Sequence, residues 1–225
     1  DKGLFMMVKI TKDISEVPTY ASMWNMDALV LIGFCDSDYA SLRRESRIPF
    51  VVYDGVCRID DEEIAMLTVD NKKGGLMAGR YLKDMGHESV LCLTDNHWRM
   101  DEDRCSSVIE VVGRGDELMI PMDKEERWML YKEKLEYILS FSSVFAISDY
   151  YALDFMAFME TNGKSIPQDI SLIGFDGSFE AQNHMERAKL AVDSIEEFRR
   201  KDKANRVKMV DVFLKEGTTV RRLCD

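Results

Sequence analysis

The stretch Asp70–His87, "DNKKGGLMAGRYLKDMGH", decides how the rest of the chain is read. Gly74, Gly79 and Arg80 fall close to the phosphate-binding pattern G-x-x-x-x-G-K-[ST]. That pattern needs a lysine on the phosphates and a hydroxyl on magnesium, but Arg80 and Tyr81 stand in those places. The glycines also lie inside a helical pattern and not in a loop ahead of it. Ala78, Leu82 and Met85 recur at i, i+4 and i+7, and Gly86 is a natural C-terminal stop. The expectation is a helix that Asp70 and Asn71 can cap, in which Gly75 and Gly79 let a neighbouring backbone come close.

On both sides of this helix, short apolar runs alternate with helical patterns. "FMMVKI", "DALVLIGF", "IPFVVYD", "LTVDN", "SVLCLT", "ELMI", "SVFAIS", "DISLIGFD", "KLAV" and "TTVRRL" read as strands. "DSDYASLRRES", Arg104 to Val112, Lys124 to Leu139, Tyr150 to Asn162 and Ile195 to Leu214 read as helices. This rhythm implies parallel sheets covered by helices. Such sheets bury both faces, which accounts for runs like "ALVLIGF" that do not alternate. Their ligands bind beyond the carboxyl ends of the strands. The residues just past those ends are Asp36, Asp54, Asp70, Asp95, Ser148, Asp149 and Asp176. Aspartate is also an ordinary helix cap and turn former, so both readings stand for each of them.

The chain has 225 residues, enough for one large domain or two small ones, and it is 46% hydrophobic and 32% charged, the balance of a globular protein. No apolar run approaches the roughly 18 residues of a membrane span. A net charge of -11 repels phosphate backbones, so a nucleic-acid role would need a basic module outside these residues. The five cysteines show no C-x-x-C spacing, which disfavours a disulfide framework and a zinc knuckle and favours a reducing, cytoplasmic setting. Cys92 reads as a small buried hydrophobe.

No chemical constellation argues for an enzyme. The G-x-S-x-G elbow is absent. The three histidines are scattered, and His87 follows a helix end, where a cation suits the dipole. "DED" at Asp101–Asp103 lacks the spacing of a calcium loop. Neither a metal nor a cofactor is expected.

Three segments together carry a more specific message: "IPFVVYDG", "TVDNKKGGLMAGRYLKDMGHESVLCLT" and "SDYYALDFMAFMETNGKSIPQDISLIGFDG". In order and spacing they closely resemble the LacI/GalR family of bacterial transcription regulators. The resemblance is strong over residues 28–177 and weak in the tail. It implies an α/β effector-binding domain of the periplasmic-binding-protein type I, with two Rossmann-like lobes, parallel sheets, three chain crossings and a ligand in the interlobe cleft. The expected N-terminal lobe is 1–67 plus 193–215, and the C-terminal lobe 68–192 plus 216–225. The family's first strand and helix have no counterpart before "GLFMMVKI".

The resemblance also assigns site residues. Asp54 matches the aspartate ending the "IPvV..D" strand, Arg104 the arginine opening the "R..GF" helix, and Asp176 the aspartate of "GFD". Carboxylates and a guanidinium suit the paired hydrogen bonds of neighbouring sugar hydroxyls. Asp149 matches an aspartate beside the cleft, with a helix-start role as the equal alternative, and Ser148 precedes it at a polar contact position. Trp98 is placed either to stack on a ligand ring or to pack. There are departures: "R..GF" reads Arg104-Cys105-Ser106-Ser107-Val108, and Asp154 stands where glycine is usual.

The implied function is control of DNA binding by a small effector, a sugar or sugar derivative. The operator DNA would be held by a helix-turn-helix headpiece outside these residues, in a homodimer with no membrane contact. The alternative is a transport or chemosensory sugar-binding protein of the same fold.

Overall fold

The computed structural model of the chain describes residues 4–95, 99–176, 184–200 and 207–223. It divides into two compact units, Asp1–Thr68 with Glu186–Lys208 and Val69–Met185 with Met209–Asp225, so the chain passes between them three times.

The first unit contains α1 (Val17–Met23), β1 (Leu29–Ile32), α2 (Asp36–Glu45), β2 (Phe50–Tyr53) and β3 (Ile64–Val69). Late in the chain α8 (His184–Arg200) and β8 (Val207–Val210) follow, and the sheet order is β1-β2-β3-β8. β1 pairs with β2, and β2 with β3, in parallel. Pro18 sits in the first turn of α1, where its missing N–H costs nothing. α2 carries Asp36 and Asp38 in its first turn and Arg43 and Arg44 in its last, each suited to the helix dipole. Arg43 is buried and donates to Asp61 (2.6 and 2.8 Å) and to Glu63 (2.6 Å), which ties α2 to the approach of β3.

The second unit runs α3 (Asn71–Asp84), β4 (Val90–Thr94), α4 (Arg99–Val112), β5 (Gly115–Met119), α5 (Lys124–Glu133), α6 (Leu135–Ile138), β6 (Ser143–Ala146), α7 (Asp149–Thr161) and β7 (Ser171–Ile173). Its sheet has the order β5-β4-β6-β7, and its pairs are parallel. Every residue of β4, β6 and β7 is buried, as expected of strands covered on both faces. Cys92 is among them, in the middle of β4. The two parallel-sheet α/β units are the fold class that the alternating pattern implied.

Several local expectations are corrected. "FMMVKI" forms no strand: Phe5, Met6, Val8 and Ile10 are exposed, and no described ladder includes them. An apolar run becomes a strand only where a partner takes its backbone hydrogen bonds. "KLAV" lies within α8, where Ala191 and Ser194 are buried at helical spacing. The expected helix Ile195 to Leu214 ends at Arg200, and its later part holds β8. "TTVRRL" runs beside β7 without forming a ladder. Leu172 N–H donates to the Thr219 carbonyl (2.8 Å), but Arg221 N–H turns to the Ser171 hydroxyl (3.1 Å). The helix expected over Lys124 to Leu139 is interrupted at Lys134, where nothing in the sequence forces a break.

His87 is also corrected. Its ring is buried, and Nε2 lies 3.0 Å from the Arg221 carbonyl. Burial pushes its pKa below the ordinary histidine value, so the ring is a neutral packing group and not a cation for the helix dipole.

Candidate functional site

The glycines of the opening stretch build the second unit's site from below. Asp70 caps α3 by accepting from Lys73 N–H (3.0 Å), and Gly86, with φ +88°, follows its end. A Cβ on Gly75 would lie 2.5 Å from the Arg104 carbonyl, and one on Gly79 would lie 2.8 Å from Val111 Cβ and 3.0 Å from the Val108 carbonyl. Helix α4 therefore packs backbone to backbone on α3, as the glycine spacing implied. A Cβ on Gly74 would lie 2.5 Å from the Phe175 ring.

This close approach positions Arg104. The expected helix start at Arg104 is corrected, because α4 begins at Arg99 and places Arg104 inside the helix. Arg104 is buried, and its guanidinium is held on three sides. Nε donates to Asn71 Oδ1 (2.7 Å), one terminal nitrogen donates to the Ile147 carbonyl at the end of β6 (2.6 Å), and the group lies 3.9 Å over the Phe175 ring. The same terminal nitrogen is 3.8 Å from Asp176 Oδ1. A guanidinium fixed in this way holds its planar fork in one orientation, which a bidentate partner needs.

The other sequence-assigned residues fall as follows. Ser148 is the N-cap of α7, its hydroxyl accepting from Tyr151 N–H (3.4 Å), and Asp149 is the first helical residue. Asp149 packs against the end of β7, where a Cβ on Gly174 would lie 2.5 Å from its Oδ1. Ser148, Asp149, Arg104 and Asp176 thus gather at the carboxyl edge of one sheet. Asp54 follows β2 in the first unit, its N–H donating to the Leu67 carbonyl (2.8 Å). Trp98 lies outside the described residues. Asp54 (φ +55°) and Asp176 (φ +100°) share a positive φ that is uncommon outside glycine. Such backbone states concentrate at ligand-handling positions, where the surroundings hold the strain.

Asn71, Phe175 and Tyr151 were not assigned to the site from the sequence, and Asp95 was marked there only as a residue past a strand end. Asn71 looked like a cap but orients Arg104. Phe175 was hidden in the strand-like run "LIGFD". Asp95, just past β4, accepts from the Tyr151 hydroxyl at 2.7 Å. Asn71, Phe175 and Asp95 share the signal of a position beyond a strand end, whereas Tyr151, inside α7, carries none. Burial, and next the bond to Asp95, push the Tyr151 phenol above its ordinary pKa, so it remains a donor. Among the described residues, no group of three or more His, Cys, Asp or Glu side chains could hold a metal. No helix among them is long and apolar enough to cross a membrane.

Two parallel-sheet units crossed three times by the chain, with polar residues gathered at a carboxyl edge, define a periplasmic-binding-protein-like fold. No family model matches the chain. It is 22% identical over 178 residues to the HTH-type transcriptional regulator CelR of Thermobifida fusca, covering 73% of this chain and 51% of that protein. It is 29% identical over 147 residues to the HTH-type transcriptional repressor PurR of Vibrio parahaemolyticus, covering 60% of this chain and 42% of that protein. The chain therefore spans about half the length of the curated relatives it matches. Among solved structures, a LacI family transcriptional regulator from Enterococcus faecium with bound ribose superposes with a TM-score of 0.79 at 20% identity, over 97% of this chain and 88% of that one. The resemblance read from the sequence thus agrees with both comparisons: in sequence the chain is similar to LacI/PurR-type regulators, and in fold to their effector-binding domain. The curated relatives it matches are transcription regulators and not enzymes.

Proposed function

We propose that the chain is the effector-binding part of a bacterial transcription regulator and takes a small polyhydroxylated molecule, a sugar or sugar derivative, as its effector. Arg104, Asp176, Asp149 and Ser148 are the contacts in the second unit. Asp54 and Trp98 are the further contacts that the resemblance assigns. The observation that carries the reading is the Arg104 guanidinium, buried, aimed by Asn71 and the Ile147 carbonyl, laid on Phe175 and beside Asp176. A carboxylate next to a fixed guanidinium accepts from one sugar hydroxyl while the guanidinium donates to its neighbour. The E. faecium relative carries ribose, which supports the choice of sugars.

A DNA-binding headpiece beyond this chain responds to the effector, in a cytoplasmic homodimer. The effector controls DNA binding only by favouring one state of the protein over the other. The test is a thermal-shift screen of the purified protein against monosaccharides. A ligand at a hundred times its Kd contributes about 2.7 kcal/mol, which for a chain of this size is a rise of roughly 5–10 °C. Asp176→Asn is expected to abolish most of that rise. A sugar that binds Asp176→Asn and wild type equally would overturn the assignment.

A further inference from the structure

We propose that Asn71 is a positioning residue that ties the aim of Arg104 to the ends of β3 and β8, so that a ligand held by Arg104 acts on two of the three chain passages. The inference rests on the ligand-binding reading above and adds to it a route by which binding is passed on.

The Asn71 side chain is buried and bonded at both ends. Its Oδ1 accepts from Arg104 Nε (2.7 Å), and its Nδ2 donates to the Val69 carbonyl (3.1 Å). Neither bond survives an exchange of the two amide atoms. The guanidinium carries donors only and the carbonyl is an acceptor only, so one amide orientation serves both. The amide is also a rigid plane, so a rotation that spoils one bond spoils the other. A shift of the guanidinium is therefore felt at Val69, and a shift of Val69 re-aims the guanidinium.

Val69 is the last residue of β3 and the first of the second unit, immediately after the first passage of the chain. The third passage arrives at the same place. β8 runs from Val207 to Val210 and contains the boundary between Lys208 and Met209. Asp70 N–H donates to the Val210 carbonyl (3.3 Å), and the Lys73 ammonium is paired with Asp211. In the same turn, a Cβ on Gly74 would lie 2.5 Å from the Phe175 ring and 3.7 Å from Val212. The first turn of α3 thus holds the ends of both strands and, through Asn71, the charge assigned to the ligand.

A ligand that fixes the guanidinium fixes the Asn71 amide, and with it the carbonyl at the end of β3. The coupling is reciprocal. Whatever holds the strand ends in one arrangement also sets the affinity at Arg104.

The experiment begins with calorimetric titration of D-ribose, D-xylose, D-glucose and D-galactose into wild type. The tightest of these is then used with Asn71→Leu and Asn71→Asp. Hydrogen exchange is followed at saturation in α4, at the ends of β3 and β8 and, as a gauge of general stabilisation, in α2. In wild type the sugar should slow exchange in α4 and at both strand ends, beyond any slowing in α2. Asn71→Leu, close in size but without polar atoms, should bind about tenfold or more weakly, the scale of a hydrogen bond to a charged group. At saturation it should protect α4 but not the strand ends. Asn71→Asp keeps the acceptor for Arg104 and loses the donor for Val69. It should bind better than Asn71→Leu and still leave the strand ends unprotected, a split that a mere loss of stability would not produce. It also carries the test if Asn71→Leu does not fold. Strand-end protection equal to wild type in either variant would overturn the proposal and leave the sugar-binding reading intact. So would a wild type that binds sugar without protecting the strand ends. If none of the four sugars binds wild type, the sugar-binding reading fails and the inference falls with it.

Discussion

Deleting the Asp154 carboxylate tests how the second unit tolerates its buried charge. Arg127 is fully buried, and its Nε donates to Asp154 Oδ2 at 2.7 Å. The guanidinium also donates to the carbonyls of Pro121 and Met122, both at 2.9 Å. The second oxygen of Asp154 accepts from Trp128 Nε1 at 3.0 Å. Asp154→Ala leaves the guanidinium buried without its counter-ion, a loss of about 3–5 kcal/mol. The indole N–H loses its acceptor as well, for about 1 kcal/mol more. For a chain of this length that is a fall in Tm of roughly 8–24 °C. Arg127→Met strands the carboxylate and should cost a comparable amount. The double variant Arg127→Met/Asp154→Ala removes both charges and should cost less than the sum of the single variants by about 2 kcal/mol or more. Urea unfolding followed by circular dichroism supplies all four free energies. Additive losses, or an Asp154→Ala variant within about 1 kcal/mol of wild type, would refute the account of a desolvated pair.

Two further outcomes are expected. Gly75→Ala gains about 1 kcal/mol of helix propensity but drives a methyl to 2.5 Å from the Arg104 carbonyl, a backbone atom that cannot swing away. Overpacking of this kind costs about 1–3 kcal/mol, so stability and sugar affinity should both fall, whereas Lys72→Ala on the exposed face should be neutral or slightly stabilising. A Gly75→Ala variant more stable than wild type in urea would contradict the packing argument. For His87, the folded pKa lies below the unfolded value of about 6.5, so the unfolded chain takes up the proton first as pH falls. The stability tied to the neutral ring is present above pH 6.5 and is lost as pH drops toward the folded pKa. His87→Gln should flatten the fall in unfolding free energy as pH drops below about 6.5. Parallel pH profiles for the two proteins would show that the burial of His87 carries no linkage.

Much of the fold was legible because buried parallel strands write themselves as unbroken apolar runs. "LVLI", "FVVY", "VLCLT" and "SVFA" all became strands. The same rule failed on "FMMVKI" and "KLAV". A four- to six-residue apolar run satisfies strand and buried-helix patterns alike, and the neighbours decide. Ala191 and Ser194 continue a helical face through "KLAV", whereas among the described residues no strand edge receives "FMMVKI". The surroundings of Arg104 were less legible. Its partners Asn71 and Ile147 lie 33 and 43 residues away, and no periodicity links them to it. Position past a strand end singled out Asp95, but the tyrosine that holds it belongs to the interior of a helical pattern.

The glycine run and the arginine are best understood as one device. Arg104 reaches the Ile147 carbonyl only because α4 lies on α3 without intervening side chains, and Gly75 and Gly79 are the positions that permit it. Gly74 clears the space for Phe175, the ring on which the guanidinium lies. Asn71, one turn earlier on the same helix, supplies the acceptor that sets the guanidinium plane. Three glycines and an asparagine on α3 thus determine where a charge on α4 stands and which way its donors point. A phosphate loop uses glycine to bring backbone N–H groups to a ligand. Here glycine brings a second helix close, and a side chain of that helix carries the charge to the carboxyl edge of the sheet.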